Sequence, residues 1–127
     1  MTLTITIPGR PPTPNSRRHW RTTHRDNKVW KEAAYWSAID ATSEWEEDPL
    51  ITKGTVAIEF VVPDRRRRDL DNLISSSKVL TDGIVAAGVL ADDSSDVLVS
   101  VTYSVRYEKG VSATVYTIEP VEELEAA

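Results

Sequence analysis

The chain contains no cysteine, only two histidines and a single phenylalanine among its 127 residues. The first absence excludes disulfides, thiolate nucleophiles, thiol redox chemistry and cysteine-bound zinc. With only His19 and His24 available, a histidine-built metal centre is not expected either. Long apolar runs are missing too: no window approaches the roughly 18 apolar residues of a membrane span. The opening MTLTITIPGRPP lacks the basic head and apolar stretch of a secretory leader. A soluble, intracellular protein without a membrane partner is expected. No internal repeat, linker or low-complexity segment interrupts the chain, and its length suits one domain over residues 1–127 with one core.

The charge is present but unevenly placed. The net charge of -5 argues by itself against a polyanionic partner, yet the basic residues are concentrated. Arg10, Arg17, Arg18, Arg21, Arg25, Lys28 and Lys31 fall in the first quarter of the chain, and Arg65, Arg66, Arg67 and Arg68 follow later as a block; together they are 11 of the 15 basic residues. Acids gather between Asp40 and Asp48 and again in a tail from about residue 120 to 127. If the two basic segments meet in space, they form a positive surface suited to phosphates; if not, each is a solvated loop of one sign.

Leu3, Ile5 and Ile7 alternate with threonines, which predicts a strand ended by Pro8-Gly9. Trp30, Ala33, Ala34, Ala38, Ala41 and Trp45 recur at helical spacing and predict a helix from Asp26 to about Trp45. Val56, Ile58, Phe60 and Val62 predict a second strand that runs into the arginine block, after which Asp69 caps a helix extending to Gly88. Val97, Val99, Val101, Tyr103, Val105 and Tyr107 predict one face of a long strand, with a turn at Lys109-Gly110 and a last strand to Ile118. The order is βαβαββ. With the last two strands read as an antiparallel hairpin, it predicts an α+β fold, a mixed sheet with helices packed on it.

The sequence Arg65-Arg66-Arg67-Arg68-Asp69-Leu70-Asp71-Asn72 sets a cationic block beside two carboxylates. Inside a regular helix, Asp69 and Asp71 would diverge by about 200°. At a strand-to-helix junction they can converge, and paired carboxylates favour a hard cation, Mg²⁺ or Mn²⁺. One of Asp92 and Asp93 offers a third carboxylate. Lys78 lies two helical turns beyond Asp71, on the same face, with Asp82 four residues further on. A lysine there can position a phosphate or stabilise developing negative charge. The plainer reading is a helix cap, a polar turn and a Lys78–Asp82 ion pair.

These residues, together with the N-terminal PGRPPTPN and Pro63-Asp64-Arg65, resemble the RusA family of Holliday junction resolvases, Mg²⁺-dependent endonucleases common in phages and prophages. The resemblance runs from the first strand to about residue 93. It implies a RusA-like fold and metal ligation by Asp69, Asp71 and Asp93, with Asp92 as the alternate. It also implies a catalytic Lys78. The family pattern has its lysine four residues after the second aspartate, where Ser75 stands here; Lys78 keeps the four-residue spacing to Asp82, consistent with an insertion.

The expected activity is therefore that of a crossover junction endodeoxyribonuclease: Mg²⁺-dependent hydrolysis of phosphodiesters in four-way junction DNA, in the cytoplasm of a bacterium or phage-infected host. Arg65, Arg66, Arg67 and Arg68, with Arg17, Arg18 and Arg21, would hold the DNA backbone. A homodimer is expected, because a junction of two-fold symmetry needs two cuts. Two alternatives are a DNA-binding module that does not cut and a metal-dependent phosphohydrolase acting on small phosphate esters.

Overall fold

Alternating burial builds the sheet, and the placement of its last strand decides the topology. The computed structural model describes residues 2–11, 20–45 and 50–121, with residues 20–25 as backbone only. The elements are β1 (Leu3–Pro8), α1 (Trp20–Ala41), β2 (Gly54–Val62), α2 (Leu70–Ser76), α3 (Lys78–Ala86), β3 (Leu98–Tyr107) and β4 (Ala113–Pro120). They form an α+β fold whose four strands make one mixed sheet in the order β1-β4-β2-β3.

Leu3, Ile5 and Ile7 of β1, Val56, Ile58 and Phe60 of β2, and Tyr116 and Ile118 of β4 supply the sheet side of the core. The helices contribute Ala34, Ala38, Leu73, Leu80 and Ile84. Ala34 and Ala38 lie one turn apart on α1, and Gly83 of α3 fits against them so closely that a methyl group there would meet the Lys31 carbonyl oxygen and the Ala34 Cβ. No helix among the described residues is long and apolar enough to cross a membrane.

The expected β3–β4 hairpin does not form. β4 lies between β1 and β2, antiparallel to both, while β3 is parallel to β2. The turn at Lys109-Gly110 straddles the end of β2: Glu108 N–H donates to the Val62 carbonyl at 3.0 Å and Gly110 N–H to the Pro63 carbonyl at 3.1 Å. The chain therefore steps over β2 and returns on its far side. The parallel β2–β3 pairing requires a crossover connection, which α2 and α3 supply.

Three boundaries differ from expectation. The first helix runs from Trp20 to Ala41. Beyond it, the Thr42 hydroxyl donates to the Ala38 carbonyl at 2.9 Å and the Ser43 hydroxyl to the Asp40 carbonyl at 2.9 Å, closing the helix before Trp45. The second helix is two helices, divided at Ser77. There the Ser76 hydroxyl donates to the Leu73 carbonyl at 2.6 Å, the Ser77 hydroxyl to the Ile74 carbonyl at 2.7 Å, and the buried Tyr116 phenol to the Ser77 carbonyl at 3.1 Å. Finally, Leu98 pairs with Gly54 and Ser100 with Thr55, leaving Val99 as a bulge. Val97 and Val99 therefore do not continue the face of Val101, Tyr103, Val105 and Tyr107. At the end of α3, Gly88 takes a φ of 82° and donates to the Val85 carbonyl, the glycine stop expected there.

Candidate functional site

Pro63 ends β2, and the four arginines that follow have different environments. Asp64 organises the segment: its Oδ1 accepts from the Arg66 amide at 3.0 Å and from Arg68 Nη2 at 2.8 Å. Arg68 Nη1 also donates to the carbonyls of Asp64 and Arg66, and its side chain is only 14% exposed. The Arg66 amide, and then the Arg68 guanidinium, hold the Asp64 carboxyl below its ordinary range. Arg65 lies over the Tyr107 ring, 4.3 Å from its centroid. Arg66, with its side chain 74% exposed, reaches Asp64 only at 3.5 Å. Arg67 is exposed.

Arg10, the first residue of the N-terminal basic segment, meets the arginine block. Its Nε donates to Ser112 Oγ at 3.2 Å, and with Arg66, Arg68, Asp69 and Asn72 it lines a hollow of about 430 Å³. Burial, followed by the repulsion of Arg68, lowers the Arg10 pKa; Asp64 opposes that shift and Arg66 adds to it. Cations are thus crowded at one mouth despite a neighbouring carboxylate. Arg17 and Arg18 lie outside the described residues, and Arg21 is placed only as backbone in the first turn of α1.

Asp69 occupies the expected cap of α2, with extended φ and ψ of -84° and 119° and its Oδ1 accepting from the Asp71 amide at 2.9 Å. Asp71 follows in the first turn and is exposed. Lys78 opens α3, where its Nζ lies 3.3 Å from Asp93 Oδ2 and 3.7 Å from Asp82 Oδ1. Asp93 first, then Asp82, raises the Lys78 pKa. Asp92 is exposed. Among the described residues, no group of three or more acidic or histidine side chains is placed to hold a metal ion. Asp69, Asp71 and Asp93 are not gathered into one ligand set in this arrangement, and the chain's own cation, Lys78, is the partner of Asp93.

A hollow of about 410 Å³ lies beside that pair, bordered by Ser75, Lys78 and Asp93 on one side and Val101, Tyr103 and Tyr116 on the other. Tyr116 in its lining is fully buried, its hydroxyl is 2.7 Å from that of Thr81, and burial pushes its pKa well above the ordinary tyrosine range. Ser75 and Lys78 border the same hollow, so the three-residue displacement keeps a lysine at its rim.

Sequence reasoning named neither Arg10 nor Asp64 as a site residue. Asp64 has a sequence signal, its four-residue spacing to Arg68. Arg10 has a weaker one, its membership of the first basic segment; its neighbours in the fold come from distant segments.

A distant likeness joins this geometry. Over 117 residues the chain is 28% identical to the crossover junction endodeoxyribonuclease RusA of Aquifex aeolicus (strain VF5), a match spanning 86% of this chain and 85% of that protein. No protein-family model matches the chain.

Proposed function

We propose that this chain is a nuclease that binds and resolves four-way (Holliday) junction DNA. The observation that carries the proposal is the meeting of Arg10 with Arg66 and Arg68 beside the acidic start of α2. Crowded, partly desolvated cations favour a polyanion, which relieves their mutual repulsion. The distant likeness to RusA narrows that polyanion to junction DNA and the reaction to phosphodiester hydrolysis.

Arg66 and Arg67, exposed and lightly engaged, take backbone phosphates, while Arg68 holds the loop that presents them. Lys78, kept cationic by Asp93 and Asp82, supplies a fixed positive charge toward the reacting phosphate rather than a base. Mg²⁺ or Mn²⁺ belongs to the proposal, with Asp69, Asp71 and Asp93 as its carboxylates. Such an ion, when bound, lowers the pKa of water and offsets phosphate charge. Those carboxylates do not form a complete ion site as they stand, so support for the nuclease comes from the arginine surface and the likeness.

The same observation favours one rival, a module that binds branched DNA without cutting it. Incubation of the purified chain with labelled four-way, forked and linear duplex DNA, in Mg²⁺, Mn²⁺ or EDTA, separates the two. Paired, metal-dependent cuts confined to branched DNA are expected. Tight binding of junctions with no product in either metal would establish the rival instead.

A further inference from the structure

The hollow of about 410 Å³ opens where the helix layer breaks: α2 ends at Ser76, α3 begins at Lys78, and Ser75, Ser77 and Lys78 all line it. Lys78 and Asp93 have roles in the proposed cutting reaction. The apolar interior has none.

That interior offers contact rather than hydrogen bonds. Val56 and Ile58 in its lining are buried, and Ile74 and Val101 are half-buried. Three hydroxyls of the lining are already engaged, Ser77 with the Ile74 carbonyl at 2.7 Å and Thr81 with Tyr116 at 2.7 Å. The aromatic wall is Tyr103, whose ring is parallel to that of buried Phe60, with 3° between planes and 6.3 Å between centroids. Phe60 lies on one side of the ring, and Tyr103 remains 36% exposed. The volume falls within the range of about 300–1,000 Å³ typical of small-molecule sites, which are apolar with a few polar groups at fixed points.

The charged groups stand at the mouth. The Lys78 side chain is 72% exposed, and its Nζ has three donors, of which Asp93 at 3.3 Å and Asp82 at 3.7 Å take two. One cation with a spare donor suits a single phosphodiester; the phosphates of a free nucleoside triphosphate would ask for more. Residues of α2 line this hollow through Ile74 and Ser75 and the arginine-rimmed one through Asn72 and Leu73.

We infer that the hollow receives one unstacked nucleobase from the branch point of the DNA, laid against Tyr103, with Lys78 on the phosphate beside it. The inference rests on the proposed junction binding and gives it a source of selectivity. Taking a base out of the stack costs least where the base is already unpaired, and contact with an aromatic ring replaces part of the stacking that is lost. A linear duplex must break a pair to fill the hollow, so it binds with the hollow empty.

The test uses four-way DNA in EDTA, with the base analogue 2-aminopurine placed singly at each nucleotide flanking the branch and an end label that reports binding by anisotropy. The emission of 2-aminopurine depends on its stacking, so on binding it should change about twofold or more at one branch position and not inside the arms. Ser75→Trp, which sets a large side chain at the exposed rim, and Tyr103→Ala should each abolish that change and weaken binding about tenfold. Tyr103→Phe, which keeps the ring, should restore the signal lost in Tyr103→Ala. If Tyr103→Ala does not fold, as judged by circular dichroism, Ser75→Trp decides. Junction binding with unchanged emission at every branch position would overturn the inference and leave the nuclease proposal standing, and a signal that survives in a folded Ser75→Trp or Tyr103→Ala chain would do the same. Failure to bind branched DNA at all would refute the junction proposal, and this inference with it.

Discussion

Replacing Arg66 and Arg67 together by alanine should weaken junction binding through charge alone, whereas replacing Arg68 should act through the fold of the loop. The structure separates these cases. Arg68 makes three hydrogen bonds within residues 64–68 and is 14% exposed, while the Arg66 side chain is 74% exposed and its pair with Asp64 is long. Removing one arginine–phosphate interaction should lower the slope of log K against log salt by about 0.9, which corresponds to about an eightfold weaker affinity near 0.1 M salt. The double variant should therefore bind about 60-fold more weakly, with a slope change of about 1.8 and an unchanged melting temperature.

Arg68→Ala should behave differently. It leaves Asp64 without its nearest cation and frees the backbone that carries Arg66 and Arg67, so melting should fall by a few degrees along with affinity. Fluorescence anisotropy of a labelled junction across a salt series, paired with thermal melts, measures both quantities. An unchanged salt slope in the Arg66/Arg67 variant would refute the division of labour. So would an Arg68→Ala chain with wild-type melting and the slope change of one missing arginine–phosphate pair.

Asp71→Asn should abolish cutting while junction affinity in EDTA is kept or increased, because a charge that repels phosphate is removed; cleavage and gel-shift assays report the two effects. Lys78→Ala should reduce turnover at least about tenfold with little effect on affinity, and Ser75→Ala should do little, as single-turnover rates will show. Asp93 and Asp82 raise the Lys78 pKa, so the lysine stays charged below its ordinary value of about 10.4 and its ion pairs are lost only as pH rises through the higher folded value. The rate between about pH 6 and 9 should therefore show no inflection that Lys78→Arg removes. Gly83→Ala should destabilise the fold, since its methyl group meets backbone and Ala34 across the α1–α3 contact; an overpacking cost of about 1–3 kcal/mol exceeds the helix-propensity gain of up to about 1 kcal/mol. Urea denaturation measures the net change.

Local chemistry made most of the fold legible. Alternation exposed the faces of β1 and β2, and Asp69 and Gly88 declared themselves as cap and stop because those roles depend on a few neighbouring atoms. The helix break at Ser77 also has a local signature, Ser75-Ser76-Ser77, whose hydroxyls compete for nearby carbonyls. The position of β4 does not. Lys109-Gly110 suits a reversal whether the next strand returns beside β3 or steps across β2, and the hydrogen bonds to Val62 and Pro63 that choose the second come from residues more than 40 positions away. A subtler sign is present in composition. Ala113, Thr114, Tyr116 and Ile118 are buried with Val115 and Thr117 half-covered, as a central strand requires, while β3 alternates its apolar residues with Ser100, Thr102, Ser104 and Arg106.

Strand direction also governs how the site is laid out. Asp69 follows the end of β2 and Asp93 precedes the start of β3, and in a parallel pair those two points lie at opposite ends of the sheet. The crossover must travel back between them, and α2 covers part of that distance. The five residues from Asp71 to Ser76 rise about 7.5 Å along α2, after which the chain breaks at Ser77 and starts again as α3 at Lys78. Lys78, at the start of α3, pairs with Asp93 3.3 Å away, while Asp69 and Asp71 stand at the start of α2. Motif order along the chain made Asp69, Asp71, Lys78 and Asp93 look like one cluster. In the fold Asp69 lines a hollow with Arg10, Arg66 and Arg68, and Lys78 and Asp93 line another with Tyr103.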